Sequence, residues 1–505
     1  MKINVRDSAS QGAVFQYVST AIILVSGVVF YTFLMHLFTP LLVGSIVLVI
    51  TITQILSSVF YVPFYDAASH FISYYIDDKQ EISWLVTNFT VIGLILSIIS
   101  LLLLYLISPV LSMLFFHSDS YVPVLRIASV YLSASIFAKI VSGLAYGMQK
   151  FRRVSSINAI SSVIGFSLAT VFAIFFDRLS LIIIGLLAGQ VFIIISLLPD
   201  IPQKSRSHLG GKRSIRTMDL LKYAAPFVVM VVVGSASDHV DKLITAFFLN
   251  VPSVGIYNLS LLISTGLFGS FRTINQILIP KFSEIYARGD IEDLKSNVDR
   301  SSRILSSLYI PVSLFLIAVS KPLVYLLGGP DYGSAILPLD LLLLLTAMSL
   351  PSIILSAIIA SVRQTKIAYL TSPLSLATNI GLSVALIPTL GILGASIGFG
   401  FMLPIRAIIL YVYVKKKGMY NVMPLPILKV WAISLIMLAL IVLVELILGD
   451  GVLSLLYLVP LGVFMYIILL RASHILSKDD ARLIADAFPA RYRGLREKIQ
   501  RILSG

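Results

Sequence analysis

The sequence contains no cysteine, which excludes disulfides and thiolate metal sites and leaves the redox compartment unmarked. Its six histidines are isolated, and no two share a helix face at zinc-ligand spacing. Charge is also scarce. Only 12% of the 505 residues are Asp, Glu, Lys or Arg, against about 25% in an ordinary globular domain. In their place stand apolar residues, 58% of the chain. A soluble domain could not hide that much apolar surface, so the chain reads as an all-α, polytopic membrane protein.

A helix needs about 20 apolar residues to cross a bilayer, because lipid offers its backbone no hydrogen-bond partner. About fourteen runs meet that length. They are predicted at 14–38, 41–64, 83–107, 121–147, 154–176, 180–199, 223–248, 252–279, 303–320, 336–360, 367–388, 391–414, 427–447 and 452–470. The polar lead over 1–12 is followed by an apolar run with no small-residue cleavage pattern, which predicts a retained first span.

Lys and Arg fall unevenly between alternate loops. Counted from a cytoplasmic N-terminus, 30 of the 38 lie in inside segments, while Arg178 and Lys321 are the outside pair. Both termini are therefore expected in the cytoplasm, and the chain in the cytoplasmic membrane. The net charge of +14 then reflects topology and attraction to anionic membrane lipids; no nucleic-acid partner is expected.

Two inside segments are long. One holds the basic stretch KSRSHLGGKRSIR from Lys204; the other, over 280–302, reads as a short amphipathic, solvated helix. The two sides of the first resemble each other at an offset of roughly 211–217 residues. SGLAYGMQKFRRVSS from Ser142 lines up with SAIIASVRQTKIAYL from Ser356, and PLLVGSI from Pro40 with VPSVGIY from Val251. This predicts two pseudo-symmetric six-helix lobes, over 1–199 and 223–414, joined by a cytoplasmic linker over 200–222. Two further spans over 415–476 and a basic amphipathic tail over 477–505 complete the chain.

Enzyme motifs fail on context. Gly394–Gly398 reads GASIG, but a nucleophile elbow needs a strand before it, and GILGASIGFG is instead a small-residue face suited to close helix packing. Gly211–Lys212 lacks the rest of a phosphate-binding loop. The outside loops are too short for a catalytic domain. Neither an enzymatic activity nor a cofactor is expected.

The informative residues are ionisable groups at bilayer depth, each costing about 2.5–3.5 kcal/mol at a helix centre. Lys139, Arg272 and Arg406 lie roughly eight residues, or about 12 Å, from the inner ends of their spans. Arg406 could snorkel to the headgroups. Lys139 stands among Ser133, Ser135 and Ser142, and Arg272 within GSFRTINQ, surroundings that suit a watered face. The seventh span carries SDHVDKLI from Ser237, in which Asp238 and Lys242 share a helix face and Asp241 lies close to it. Such a cluster can be a salt bridge, a proton site or a cation site.

The run DHVDKLITAFFLNVPSVGIYNLSLLISTG and the LIPKFSEIYARGDIEDL after it resemble the middle of the polysaccharide-biosynthesis flippases of the multidrug/oligosaccharidyl-lipid/polysaccharide exporter superfamily. The resemblance extends to GGPDYGSAILPL and LGILGASIGFG. It implies translocation of a polyprenyl- or dolichyl-diphosphate-linked oligosaccharide across the membrane, with glycan-assembly enzymes as possible partners. A diphosphate needs basic groups, which points to Arg272 and then Lys139. Peptidoglycan-precursor flippases of the superfamily place arginines on the first, second and eighth spans. Here only Arg272 corresponds, and the first two spans offer Gln16, His36 and Gln54. A sodium site in those relatives lies between spans seven, eleven and twelve. By that likeness Asp238 or Asp241 with Thr378 and Asn379 would couple transport to a sodium or proton gradient, unless Lys242 itself supplies the cation. The alternative is a cation-coupled multidrug or small-metabolite antiporter, whose cationic substrate predicts an acidic cavity.

Overall fold

The computed structural model describes residues 5–176, 178–201, 217–419, 424–449, 451–477 and 479–482. Among them all regular structure is helical. The first seven helices are α1 (Val5–Leu37), α2 (Pro40–Tyr74), α3 (Lys79–Leu111), α4 (Val122–Gly147), α5 (Phe151–Phe176), α6 (Leu179–Leu197) and α7 (Thr217–Phe248). Then come α8 (Val251–Arg272), α9 (Asn275–Ala287), α10 (Ile291–Ala318), α11 (Ser320–Gly328), α12 (Ile336–Met348) and α13 (Pro351–Ser361). The last four are α14 (Thr365–Leu390), α15 (Ile392–Lys416), α16 (Pro424–Leu448) and α17 (Leu455–Ala472). Thirteen of the described segments are long and apolar enough to span a membrane, or fourteen when the bent α7 counts as one. The two parts of α7, Thr217–Ala225 and Met230–Phe248, meet at a bend of 46°.

Contacts divide the chain into two compact units, Met1–Gly255 and Ile256–Gly505. In the first, α2 packs on α4 and α7, α1 on α5, and α5 on α6. By its contacts α7 falls in the first unit. The reason is local: Leu220 near the start of α7 is buried with Ala67 of α2, Phe89 of α3 and Leu144 of α4, and the Thr217 hydroxyl donates to Asn88 Oδ1 at 3.0 Å. The α5–α6 pair is drawn together by small residues. A β-carbon on Gly189 would lie 2.7 Å from the Ser161 carbonyl oxygen, and one on Gly185 would lie 2.6 Å from Ala169 Cα.

In the second unit GASIG does what its small residues suggest. A β-carbon on Gly394 would lie 2.6 Å from Ile387 N, and one on Gly398 would lie 3.0 Å from the Asn379 carbonyl oxygen, so α14 and α15 touch backbone to backbone. Residues 280–302 differ from expectation. They form no separate solvated helix but the facing ends of α9 and α10, turned at Arg288–Asp290. Gly289 takes a positive φ of 76°, and Asp290 then caps α10 by accepting from Asp293 N at 2.9 Å. The predicted tenth span is likewise divided into α12 and α13, with Pro351 opening the second piece.

The chain after α17 is clasped to this unit. Ser477 and Asp480 cap reciprocally: Ser477 N donates to Asp480 Oδ2 at 3.0 Å, and Asp480 N to Ser477 Oγ at 3.1 Å. Asp480 is fully buried and also accepts from Arg300 Nε at 3.0 Å and Arg303 Nε at 2.8 Å. The basic stretch 204–216 and most of the predicted amphipathic tail, residues 483–505, lie outside the described residues.

Candidate functional site

Polar side chains in the first unit are arranged as stripes on otherwise apolar helices. On α2, Thr53, Ser57, Tyr61 and Tyr65 recur every fourth residue, with Gln54 and Ser58 beside them. On α4 the same spacing aligns Tyr131, Ser135 and Lys139. Several hydroxyls on these stripes bond back to their own helix. Thr53 donates to Val49 O at 3.0 Å, Ser58 to Ile55 O at 2.8 Å and Ser135 to Leu132 O at 2.8 Å. This settles their donors inside lipid and leaves lone pairs facing inward.

The stripes converge on two cavities. One, of about 310 Å³, is lined by α2 (Thr53, Gln54, Ser57, Ser58, Tyr61), α4 (Tyr131, Ser135, Lys139), Gln190 of α6, and Ser235 and His239 of α7. The other, of about 240 Å³, lies among α1, α5, α6 and α4, with Gln16, Ser19, Thr20, Ser155, Asn158 and Ser162 in its wall. Lys139 and Gln190 line both. Gln190 reaches this junction because its neighbour Gly189 packs directly on α5, where Ser161 Oγ donates to Gly189 O at 2.9 Å. Two bonds tie α1 to the second cavity: Ser19 Oγ to Ser155 O at 2.7 Å, and Tyr146 OH to Gln16 Oε1 at 3.3 Å.

Two properties define the chemistry. Among the described residues neither lining contains a carboxylate, and Lys139 makes no ion pair. Three buried polar atoms of the linings, Gln190 Oε1, Asn158 Oδ1 and His239 Nδ1, have no hydrogen-bond partner among the described residues. Buried groups of this kind are costly unless something satisfies them. A ligand with anionic and hydroxyl groups could do so.

A family model described as polysaccharide biosynthesis protein matches residues 34–337. The chain belongs to that family. No curated protein matches it at the sequence level. Its fold is similar to that of solved transporters. The lipid II flippase MurJ in an inward closed conformation superposes with a TM-score of 0.72 at 18% identity, over 90% of this chain and 98% of that one. An inward-facing multidrug resistance MATE family transporter of the MOP superfamily gives 0.68 at 13% identity, over 80% and 98%. A MOP superfamily transporter from Pyrococcus furiosus, described as having a binding pocket of reverse polarity that suggests a different function, gives 0.55 at 13%, over 81% and 95%. The likeness at these identities is one of fold.

Within this polysaccharide-biosynthesis chain the residues expected to matter are spread over both units. Lys139 stands at the junction of the two cavities. Arg272 is exposed as the last residue of α8, where a cation complements the helix dipole, at an interruption within a single candidate span, Val251–Ala287. The SDHVDKLI carboxylates separate: Asp241 is fully buried, while Asp238 is exposed. Both attract Lys242, Asp241 the more strongly. In the second unit Thr378 on α14 donates to Leu374 O at 2.9 Å, and the buried Asn379 accepts from Ser383 Oγ at 3.1 Å, beside the contact with α15. Sequence reasoning missed Gln190, Asn158, Tyr61 and His239 as cavity residues. For Tyr61 the stripe of Thr53, Ser57, Tyr61 and Tyr65 was the available signal.

Proposed function

We propose that this polysaccharide-biosynthesis protein is a flippase. It carries a polyprenyl- or dolichyl-diphosphate-linked oligosaccharide from the inner to the outer leaflet of the cell membrane by alternating access, for assembly of a polysaccharide or a glycoprotein glycan. Both termini are cytoplasmic in this reading, as the loop charges require. The observation that carries it is the lining of the two cavities: an ammonium without a carboxylate, surrounded by hydroxyls and amides. A diphosphate supplies the countercharge for Lys139, and sugar hydroxyls match the unsatisfied atoms of Gln190, Asn158 and His239. Arg272 is a second anchor for the anionic head, and the Asp241–Lys242 pair, with Asp238, couples transport to an ion gradient or latches α7.

A cationic drug fits poorly. Its charge would meet Lys139 with no acidic group of either lining to compensate it. The experiment is surface-glycan export in cells that depend on this chain. Lys139→Met and Arg272→Gln should each abolish export at unchanged protein abundance, with no change in resistance to cationic drugs. Normal export in both variants, or drug sensitivity in place of glycan loss, would overturn the assignment.

A further inference from the structure

An apolar groove of about 700 Å³ lies between α1 and α5 and takes no part in the site above. Val18, Ile22, Val25 and Phe33 of α1 line it, facing Val163 and Val171 of α5. We propose that this groove seats the polyprenyl tail of the substrate while the diphosphate head occupies the Lys139 cavity. The inference rests on the flippase reading and adds a second subsite to it.

The same two helices build both places. On α1, Ser19 and Thr20 line the polar cavity, while the adjacent Val18, Ala21 and Ile22 line the groove. At about 100° per residue these sets point to different sides of one helix. On α5, Asn158 and Ser162 face the cavity and Val163 the groove. Such a pair can hold a molecule with one very polar end and one long apolar end.

The groove is apolar despite its hydroxyls. Of three hydroxyls in its lining, Ser26 Oγ donates to Ile23 O at 3.0 Å and Thr170 Oγ1 to Phe166 O at 2.8 Å within their own helices, and Ser167 is exposed. It also has a floor. Phe30 and Phe166 stack with centroids 4.9 Å apart, which makes it a furrow between packed helices and not a gap in the wall.

Direction and charge choose the occupant. With the N-terminus of α1 at the cytoplasmic side, the groove begins beside the cavity at Val18 and runs outward to Phe33, roughly 22 Å at 1.5 Å per residue. The tail of an inner-leaflet lipid follows the same course from its head. A zwitterionic phospholipid would bring its own cation toward Lys139, whereas a diphosphate brings only negative charge.

The test uses the purified full-length chain in detergent and two probes with one head, N-acetylglucosamine joined through a diphosphate diester to either a short or a long prenyl chain. The wild type should bind the long-chain probe at least tenfold more tightly. Ala21→Trp, and independently Ser167→Phe, should erase that preference and leave short-chain affinity within twofold. Both residues are exposed at the protein surface, and unchanged melting would verify the variants. Retention of the chain-length preference in both variants overturns the tail site. So does equal, Trp-sensitive binding of phosphatidylglycerol, which would make the groove a general acyl seat. Failure of the head is distinguishable: if Lys139→Met leaves the short-chain probe bound as before, the flippase reading itself falls.

Discussion

Gly44 of α2 and Gly255 of α8 meet backbone to backbone. A β-carbon on Gly255 would lie 2.9 Å from Gly44 N and 2.5 Å from the Pro40 carbonyl oxygen, and one on Gly44 would strike the Val251 carbonyl. The two glycines close the equivalent Val-Gly pairs of PLLVGSI and VPSVGIY, so matched positions of the repeat touch each other. Neither can gain a methyl group unless the helices part. Gly44→Ala and Gly255→Ala should each cost about 1–3 kcal/mol, the usual range for overpacking. Thermal unfolding in detergent would register the loss; an unchanged melting temperature in both would mean the crossing is looser than described.

The clasp at Asp480 predicts a pH dependence. Burial works against its charge, but hydrogen bonds from Arg303 and Ser477 and the Arg303 charge outweigh it and hold the carboxyl below its ordinary value. A depressed folded-state value adds stability that is complete above the unfolded value of about 3.9 and is lost as pH falls through the folded one. Asp480→Asn should therefore destabilise the protein at neutral pH by about 1.5–3 kcal/mol, typical of hydrogen bonds to a charged group. Its deficit against wild type should shrink below about pH 4. Parallel melting curves at the two pH values provide the check.

On α7 the two carboxylates should behave differently. Asp241 is fully buried and is the stronger partner of Lys242, so Asp241→Asn should cost about 1–3 kcal/mol by removing the larger part of the countercharge of that ammonium. Asp238→Asn, at an exposed position, should stay within about 0.5 kcal/mol. A double-mutant cycle of Asp241→Asn with Lys242→Met measures the coupling. If Lys242→Met retains flipping and alters only its response to imposed proton or sodium gradients, the pair is an energetic coupling site and not a latch.

The unsatisfied amides predict a trade between stability and function. Gln190→Leu and Asn158→Leu remove buried amide oxygens that find no partner among the described residues, so each should leave the melting temperature unchanged or raise it. Each should weaken headgroup binding, read with the short-chain probe by titration.

The spans were legible because lipid imposes a length on every helix, and apolar runs reveal it directly. Where the fold departed from that count, other signals decided. Asp290 and Asp293 set the start of α10 in residues that carry no apolar run. SKDD over 477–480 was a readable capping signature, but its partners Arg300 and Arg303 come from a distant helix. Lys139 could be found from sequence because an ammonium in a span is expensive. Gln190 and Asn158 could not, since a single amide in an apolar helix looks ordinary until four helices bring their stripes together. In SDHVDKLI the carboxylates drew the attention, whereas Ser235, just before the stretch, and His239 within it are the α7 residues that line the cavity.

The most direct measurement is flipping in proteoliposomes loaded with the short-chain prenyl-diphosphate N-acetylglucosamine. Wild-type protein should expose the labelled head to the opposite leaflet, and Lys139→Met, folded to the same melting temperature, should not. Equal flipping by wild type and Lys139→Met would contradict the assignment of the cavity as the seat of the anionic head.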